Sequence, residues 1–143
     1  KNLTAVTIPG MDVQQDGDLV RISLPSDQMF QAKTATLLPA SQAYVDRVAD
    51  VLRRYYGSHM VGVEVHTDSD PVTGSLWRNS HQLTAAQAMA IFEQLTHRHQ
   101  LDPRQLFVLG HGANHPRASN GTADGKRQNR RVQIVVYPET VSR

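Results

Sequence analysis

Two short clusters in this sequence have residue types and spacings suited to holding a charged ligand. In His66-Thr67-Asp68 a carboxylate stands just past the end of an alternating apolar run. There it can hold an ammonium group or accept backbone N–H bonds, with a strand behind it for rigidity. In Asn129-Arg130-Arg131 two guanidinium groups sit at the mouth of another apolar run. Their planar forks match the two oxygens of a carboxylate. Successive side chains at a strand start point to opposite faces, so one arginine can face a ligand while the other faces solvent or pairs with an acid. The sequence leaves open which does which. Taken singly, each cluster also has a plainer reading, as an Asx-rich turn at Asp68-Ser69-Asp70-Pro71 and a solvated basic turn at Lys126 to Arg131.

Other reactive chemistry is thinly represented. Gly110-His111-Gly112 lets the backbone approach a neighbour closely or take positive φ. His97 and His99, and His111 and His115, are spaced without a carboxylate at a ligand offset, so no metal site is expected. The chain has no cysteine, which removes disulfides, thiolate zinc sites and cysteine nucleophiles. No nucleophile elbow, phosphate-cradling glycine loop or convincing triad is present. The reading is a binding protein, not an enzyme, with no cofactor. His66 is read as a pocket wall or a satisfied polar residue.

The composition of the 143 residues, 39% hydrophobic and 20% charged, is that of one globular domain. Formal charge is +2, too small for a nucleic-acid partner on bulk electrostatics. From Arg117 onward, however, six basic residues stand against two acidic ones, Asp124 and Glu139, so the expected ligand region is locally positive. A nucleic-acid surface would also interleave aromatics with these basic residues, and Tyr137 alone lies near. No apolar run approaches the roughly 18 residues needed to cross a bilayer, so this portion is read as soluble. The start at Lys1, without methionine or a signal peptide, is read as a processed or truncated piece whose targeting or lipid-bearing segment lies upstream.

The elements that must position the two clusters follow from periodicity. Residues 1–18 are polar, with turn signals at Pro9-Gly10 and Asp16-Gly17-Asp18, and form an edge strand or a linker. Val20, Ile22 and Leu24 alternate as a half-buried strand stopped by Pro25, and Ser26 to Ala40 reads as a loop with one short turn. Ser41 is the expected N-cap of a helix whose buried stripe is Tyr44, Val45, Val48, Val51, Leu52 and Tyr55, with Gly57 at its stop. Val61, Val63 and Val65 alternate into His66, and a polar loop with Pro71 and Gly74 follows. A second helix is expected to open at Thr84, with Gln87 completing a capping box and Ala88, Ile91, Phe92 and Leu95 buried. Leu106 to Leu109 is a short strand. Thr122 caps a short helix, and Val132, Ile134 and Val136 alternate down a last strand ended by Pro138. The expected fold is an α/β sandwich in βαβαβ–β order, with two main helices on one face of a small mixed sheet. The domain is expected over 19–138, with a tail at 139–143.

These pieces resemble the OmpA-like domain, whose pattern runs His-Thr-Asp after the second strand, Leu-Ser/Thr-x-x-Arg-Ala at a helix start, Gly-Tyr-Gly, and Asn-x-Thr-x-x-Gly-Arg-x-x-Asn-Arg-Arg-Val. The matching residues are His66-Thr67-Asp68, Leu83-Thr84, Gly110-His111-Gly112, and Asn120-x-Thr122-x-x-Gly125 through Asn129-Arg130-Arg131-Val132. The match spans about residues 20 to 137. The resemblance implies non-covalent binding of the diaminopimelate-containing stem peptide of peptidoglycan, anchoring an envelope protein to the cell wall. It implies a periplasmic location tethered to the outer membrane of a Gram-negative bacterium, membrane contact only through an anchor outside this sequence, and other envelope-complex subunits as further partners. The implied ligand-binding residues are Thr67, Asp68, Gln87, Asn129, Arg130 and Arg131, with Asp68 on the ammonium end of the diaminopimelate centre.

The chain departs from the pattern at the second charge. The family arginine of the Arg-Ala pair, which engages the ligand carboxylate, falls on Gln87. A neutral amide offers hydrogen bonds worth about 1 kcal/mol against roughly 1.5–3 kcal/mol for charged ones. Val65 replaces a glycine, and the loop from Asp70 to Asn79 is slightly longer than the family's. An alternative is therefore an OmpA-like domain repurposed as a protein-contact module of an envelope machine such as a secretion system. On the first reading, Arg130 or Arg131 must supply the cation that Gln87 lacks.

Overall fold

The apolar alternation builds one sheet. In the computed structural model, which describes residues 3–72 and 76–142, the strands are β1 (Asp12–Asp16), β2 (Leu19–Pro25), β3 (His59–His66), β4 (Leu106–Gly112) and β5 (Arg131–Thr140). They lie in the order β1-β2-β5-β3-β4, with β3 and β4 parallel and every other pair antiparallel. The register aligns Ile22 with Ile134 and Ile134 with Val63, so the alternating residues of three strands share one face. All nine, from Val20 to Val136, are at most 2% exposed. The remaining expectation in the polar loop, the turn signal at Gly74, lies outside the described residues, as do Lys1 and Arg143.

Helices α1 (Ser26–Met29), α2 (Ser41–Tyr55), α3 (Ser80–Glu93) and α4 (Ala123–Asn129) complete the order, and a π-turn at Gln94–Arg98 extends α3. Val45, Val48, Val51 and Leu52 of α2 and Ala88, Ile91 and Leu95 along α3 bury into the same core, with Phe92 partly buried against it. Tyr55, expected in that stripe, is 54% exposed, and the next residue, Tyr56, is buried instead, its hydroxyl donating to Thr4 O at 2.5 Å.

Several boundaries differ from the sequence expectation. Ala40, not Ser41, is the N-cap of α2, because Ser41 Oγ turns back to donate to Leu38 O at 2.7 Å. Helix α3 starts four residues before Thr84. Its N-cap is Asn79, which accepts from Gln82 N, while Gln82 Oε1 accepts from Arg78 N. This arrangement caps Gln82 N in the first turn and holds Arg78 N just before the helix, and Thr84 and Gln87, lying inside the helix, form no capping box. Thr84 Oγ1 donates to Ser80 O and accepts from Gly112 N at 3.0 Å, tying α3 to β4. β5 runs through Pro138 to Thr140; the pairing with β2 has ended by Val136, and the ladder to β3 shifts register between His59 and Val61, where proline's missing N–H is tolerated. The stretch read as loop, 26–40, holds α1 and a bridge between Phe30 and Leu37. β1 lies inside the polar segment 1–18 as the sheet's edge, and Ile8 before it is 5% exposed in the core.

Two glycines shape the end of β4. A side chain at Gly110 would place Cβ 2.4 Å from Ala85 N, so its absence lets α3 press against β4. Gly112 has φ +59, which ends β4 in a turn toward the 113–119 loop.

Candidate functional site

The C-terminal end of β3, the start of β5, α1 and α3 converge on one cavity of about 250 Å³. β3 delivers His66, Thr67 and Asp68 to its rim, α1 delivers Asp27, α3 delivers Leu83 and Gln87, and the residue entering β5 delivers Arg130. Phe30, Val72 and Leu83 give it apolar walls.

Arg130 is the organising charge. Its Nε and Nη2 donate to the two carboxylate oxygens of Asp27 at 2.8 and 2.9 Å, and its Nη1 donates to Asp68 Oδ2 at 2.7 Å. The bonds to Asp27, then those to Asp68, hold the guanidinium above its ordinary pKa. Asp68 is 5% exposed, and its second oxygen accepts from Asp70 N at 2.9 Å. Three of the five N–H groups of Arg130 are thus engaged, leaving two. Two carboxylates against one guanidinium leave this corner negative, suited to a cationic group. Asp70, beside it, pairs with Lys126 at 3.0 Å, and that bond holds its carboxyl below the usual range.

Gln87 is 6% exposed and donates to Thr34 O at 3.0 Å, fastening the 31–36 loop over the cavity. The same loop is held by Trp77 Nε1, which donates to Lys33 O at 3.0 Å. Lys33, in the left-handed region at φ 57, lines the cavity and donates to Pro71 O at 3.2 Å. Among the described residues it has no carboxylate within ion-pair distance. Sequence reasoning missed both Asp27 and Lys33, because they lie in the segment read as loop; Asp27 two residues after a strand-stopping proline was its one available signal.

Of the six residues singled out from sequence, the cavity brings together Thr67, Asp68, Gln87 and Arg130, and not Asn129 or Arg131. Asn129 is the last residue of α4, is fully buried, and acts on the backbone. Its Oδ1 accepts from Arg117 N and Ala118 N at 2.8 and 2.9 Å, and its Nδ2 donates to Ala118 O and Asn120 Oδ1. Asn120 Oδ1 also accepts from Ser69 N at 3.3 Å, linking this loop to the one after Asp68. Thr122 caps α4 as expected, accepting from Gly125 N at 3.0 Å. Arg131 points to the opposite face of the sheet and is 7% exposed. The two arginines diverge because the chain enters β5 between them, where side chains alternate.

His66 is a cavity wall, but it is not a satisfied polar residue: neither ring nitrogen has a hydrogen-bond partner among the described residues. Its ring stacks on His111 at 4.2 Å between centroids. Burial, followed by the charge of Arg131, lowers its pKa to about 3, so it is a neutral spacer.

Comparison with known proteins gives the chain its relatives. The model of the family described as OmpA family matches residues 29–130. The chain is 35% identical over 129 residues to "Probable lipoprotein YiaD" of Escherichia coli (strain K12), covering 90% of this chain and 56% of that protein. It is 35% identical over 102 residues to "Peptidoglycan-binding protein ArfA" of Mycobacterium bovis, covering 71% of this chain and 29% of that protein. The chain thus spans little more than half the length of the first relative and less of the second. Among solved structures, the cell wall anchor of the T6SS from Pseudomonas aeruginosa superposes with a TM-score of 0.80 at 26% identity, over 90% of this chain and 88% of that one.

Proposed function

Because this chain belongs to the OmpA family, we propose that it binds peptidoglycan without catalysis, through the diaminopimelate centre of the stem peptide. The observation that carries this reading is the pairing of buried Asp68 with Arg130 at 2.7 Å on the rim of a 250 Å³ cavity. A zwitterionic amino-acid centre needs an anion and a cation side by side, and this corner supplies both. Asp68 and Asp27 receive the ammonium group, with Thr67 beside them. Arg130, through its two remaining N–H groups, and Lys33 receive the carboxylate. Gln87 holds the loop wall where the family arginine would stand, and Asn129 fixes the backbone behind Arg130. Arg131 lies outside this pocket.

The relatives support the same reading at the level of the whole protein. One is named a peptidoglycan-binding protein, one a lipoprotein, and one structure a cell wall anchor. By extension, the module works in the periplasm and ties an envelope protein or complex to the wall, with outer-membrane tethering supplied by an anchor outside this sequence. A second reading, a protein-contact module with weak wall binding, is favoured by one observation: the charges of Asp68 and Arg130 already satisfy each other, and Gln87 adds none.

The test is sedimentation of the purified domain with insoluble diaminopimelate-type peptidoglycan. The wild type is expected in the pellet and Asp68→Ala in the supernatant. Equal sedimentation of the two sinks the assignment of Asp68. No sedimentation of the wild type, with recovery in Gln87→Arg, favours the protein-contact reading instead.

A further inference from the structure

The outer face of the sheet, opposite α2 and α3, holds a buried arginine that none of the acids of that face reaches. Three arginines gather there: Arg21 on β2, Arg117 in the loop before α4, and Arg131 at the start of β5. The edge strand β1 supplies two carboxylates for them. Asp16 accepts from Arg21 Nε at 2.8 Å, and Asp12 accepts from Arg117 Nη2 at 3.2 Å. Arg131 lies among them with no carboxylate in ion-pair distance among the described residues, although it is the most buried of the three. Its Nη1 and Nη2 donate to the backbone carbonyls of Asn129 and His115, at 3.3 and 3.0 Å, and its Nε is buried with no partner. The other acid of this face, Glu64, accepts from Tyr137 and His111 at 2.5 and 2.8 Å.

A guanidinium removed from water without a counter-ion is costly, because neutral carbonyls offset only part of the lost solvation. Here the surroundings add to that cost. Burial first, then the charges of Arg117 and Arg21, bring the Arg131 pKa down to about 10. Two clefts meet at this side chain. One, of about 360 Å³, is lined by Arg21, Gln133, His115 and His66 with the acids Asp16 and Glu64; the other, of about 280 Å³, by Ser23, Arg117, Arg127 and Arg130 with the acid Asp12, each of Asp16 and Asp12 already paired with its arginine. Polar groups also line them beside the cations: the Ser23 hydroxyl, which accepts from the Gln133 amide at 3.2 Å and can donate outward, and the imidazole of His115.

We infer that the Arg131 cluster on the outer face of the sheet is a binding site for a compact oxyanion, a phosphate or a carboxylate, divided from the wall pocket by His66 and Arg130. Such a ligand supplies the counter-ion that the fold leaves out, with Arg131 beneath it and Arg21 and Arg117 at its sides. The chemistry is shared by free phosphate and by the carboxylate of a partner's side chain or chain end. A purely structural Arg131, acting as a strut for the 113–119 loop through His115 O, would bind neither.

The experiment is titration of the ¹⁵N-labelled domain with sodium phosphate and, separately, with sodium acetate, at ionic strength matched by sodium chloride. Saturable shifts of the side-chain and backbone resonances of Arg131, His115 and Gln133 are expected with one or both anions, and the tighter of the two identifies the source. Arg117→Gln, which leaves every hydrogen bond of Arg131 in place, is expected to weaken the binding at least threefold. Arg131→Gln, checked for a folded spectrum, is expected to abolish it. Shifts that match the chloride control for both anions overturn the inference. So does saturable binding that survives Arg117→Gln and Arg21→Gln undiminished.

Discussion

Arg130 donates to Asp68 at 2.7 Å from one nitrogen while its other two grip both oxygens of Asp27. The two acids differ in burial: the Asp68 side chain is 7% exposed and that of Asp27 47%. The Asp27 contact is therefore screened by water more than the Asp68 contact. A ligand entering the cavity meets a carboxylate that already has a cation, and must share Arg130 with it.

This asymmetry orders the cost of substitutions. Arg130→Ala strands the buried Asp68 carboxylate and is expected to cost about 2–4 kcal/mol in urea unfolding. Asp68→Asn keeps the side-chain shape and leaves Arg130 on Asp27, at about 1–2 kcal/mol. The double variant is expected to be more stable than the sum of the two losses, because it leaves no buried charge unpaired and the freed Asp27 is hydrated. Additive losses would mean that the pair is not coupled.

Gln87→Arg is expected to raise sedimentation with peptidoglycan severalfold. The position lines the cavity, and a guanidinium there adds an uncommitted cation opposite Asp68. Breaking the bond from Gln87 to Thr34 O costs about 1 kcal/mol of stability, read as a lower urea midpoint. Unchanged sedimentation would show that Arg130 and Lys33 already satisfy the ligand carboxylate.

The strands were legible because their burial has period two: Val20, Ile22, Leu24 and their partners on β3 and β5 could face only one way. The family match and the Asp68 end of the pocket came from motif order. Helix α3 was misplaced because Thr84 and Gln87 mimic a capping box that Asn79 and Gln82 also spell, five residues earlier. Both pairs satisfy the local rule, and only the contact of Thr84 with Gly112 on β4 separates them. Asp27 was hidden for a similar reason. Its role depends on a partner 103 residues away, which no local pattern encodes. The alternation of Arg130 and Arg131 was readable as a principle, but the face each takes is set by the register of β5 against β3.

Acid should weaken the fold through His66. Its pKa drops from the ordinary 6.5 to about 3 in the folded chain, first through burial and then through Arg131. Between those values the unfolded chain binds the proton and the folded chain does not. Stability is therefore complete above about pH 6.5 and falls as pH is lowered toward 3, by up to about 1.4 kcal/mol per unit from this group. His66→Phe keeps a ring against His111 and has no proton to bind. Urea midpoints measured from pH 7 to 4 are expected to fall more steeply for the wild type than for this variant; parallel slopes would remove His66 as the cause.

Asn129 was expected at the ligand and is placed by the structure on the backbone, so its substitution should separate stability from binding. Its Oδ1 takes two N–H groups, from Arg117 and Ala118, and its Nδ2 donates to Ala118 O and to Asn120. Asn129→Asp preserves the acceptor and its shape but turns both donor contacts into oxygen facing oxygen, in a fully buried place. Losing those bonds while burying a carboxylate is expected to cost about 3 kcal/mol or more. The 117–120 loop loosens with it, and its amides should exchange with solvent faster than those of β5. Because Asn120 reaches Ser69 N, the loosening extends toward Asp68 without removing a pocket side chain. The fraction of the variant that remains folded at low temperature is therefore expected to sediment with peptidoglycan within about threefold of wild type, a difference of about 0.6 kcal/mol. A folded Asn129→Asp domain that has lost sedimentation altogether would return Asn129 to the ligand itself.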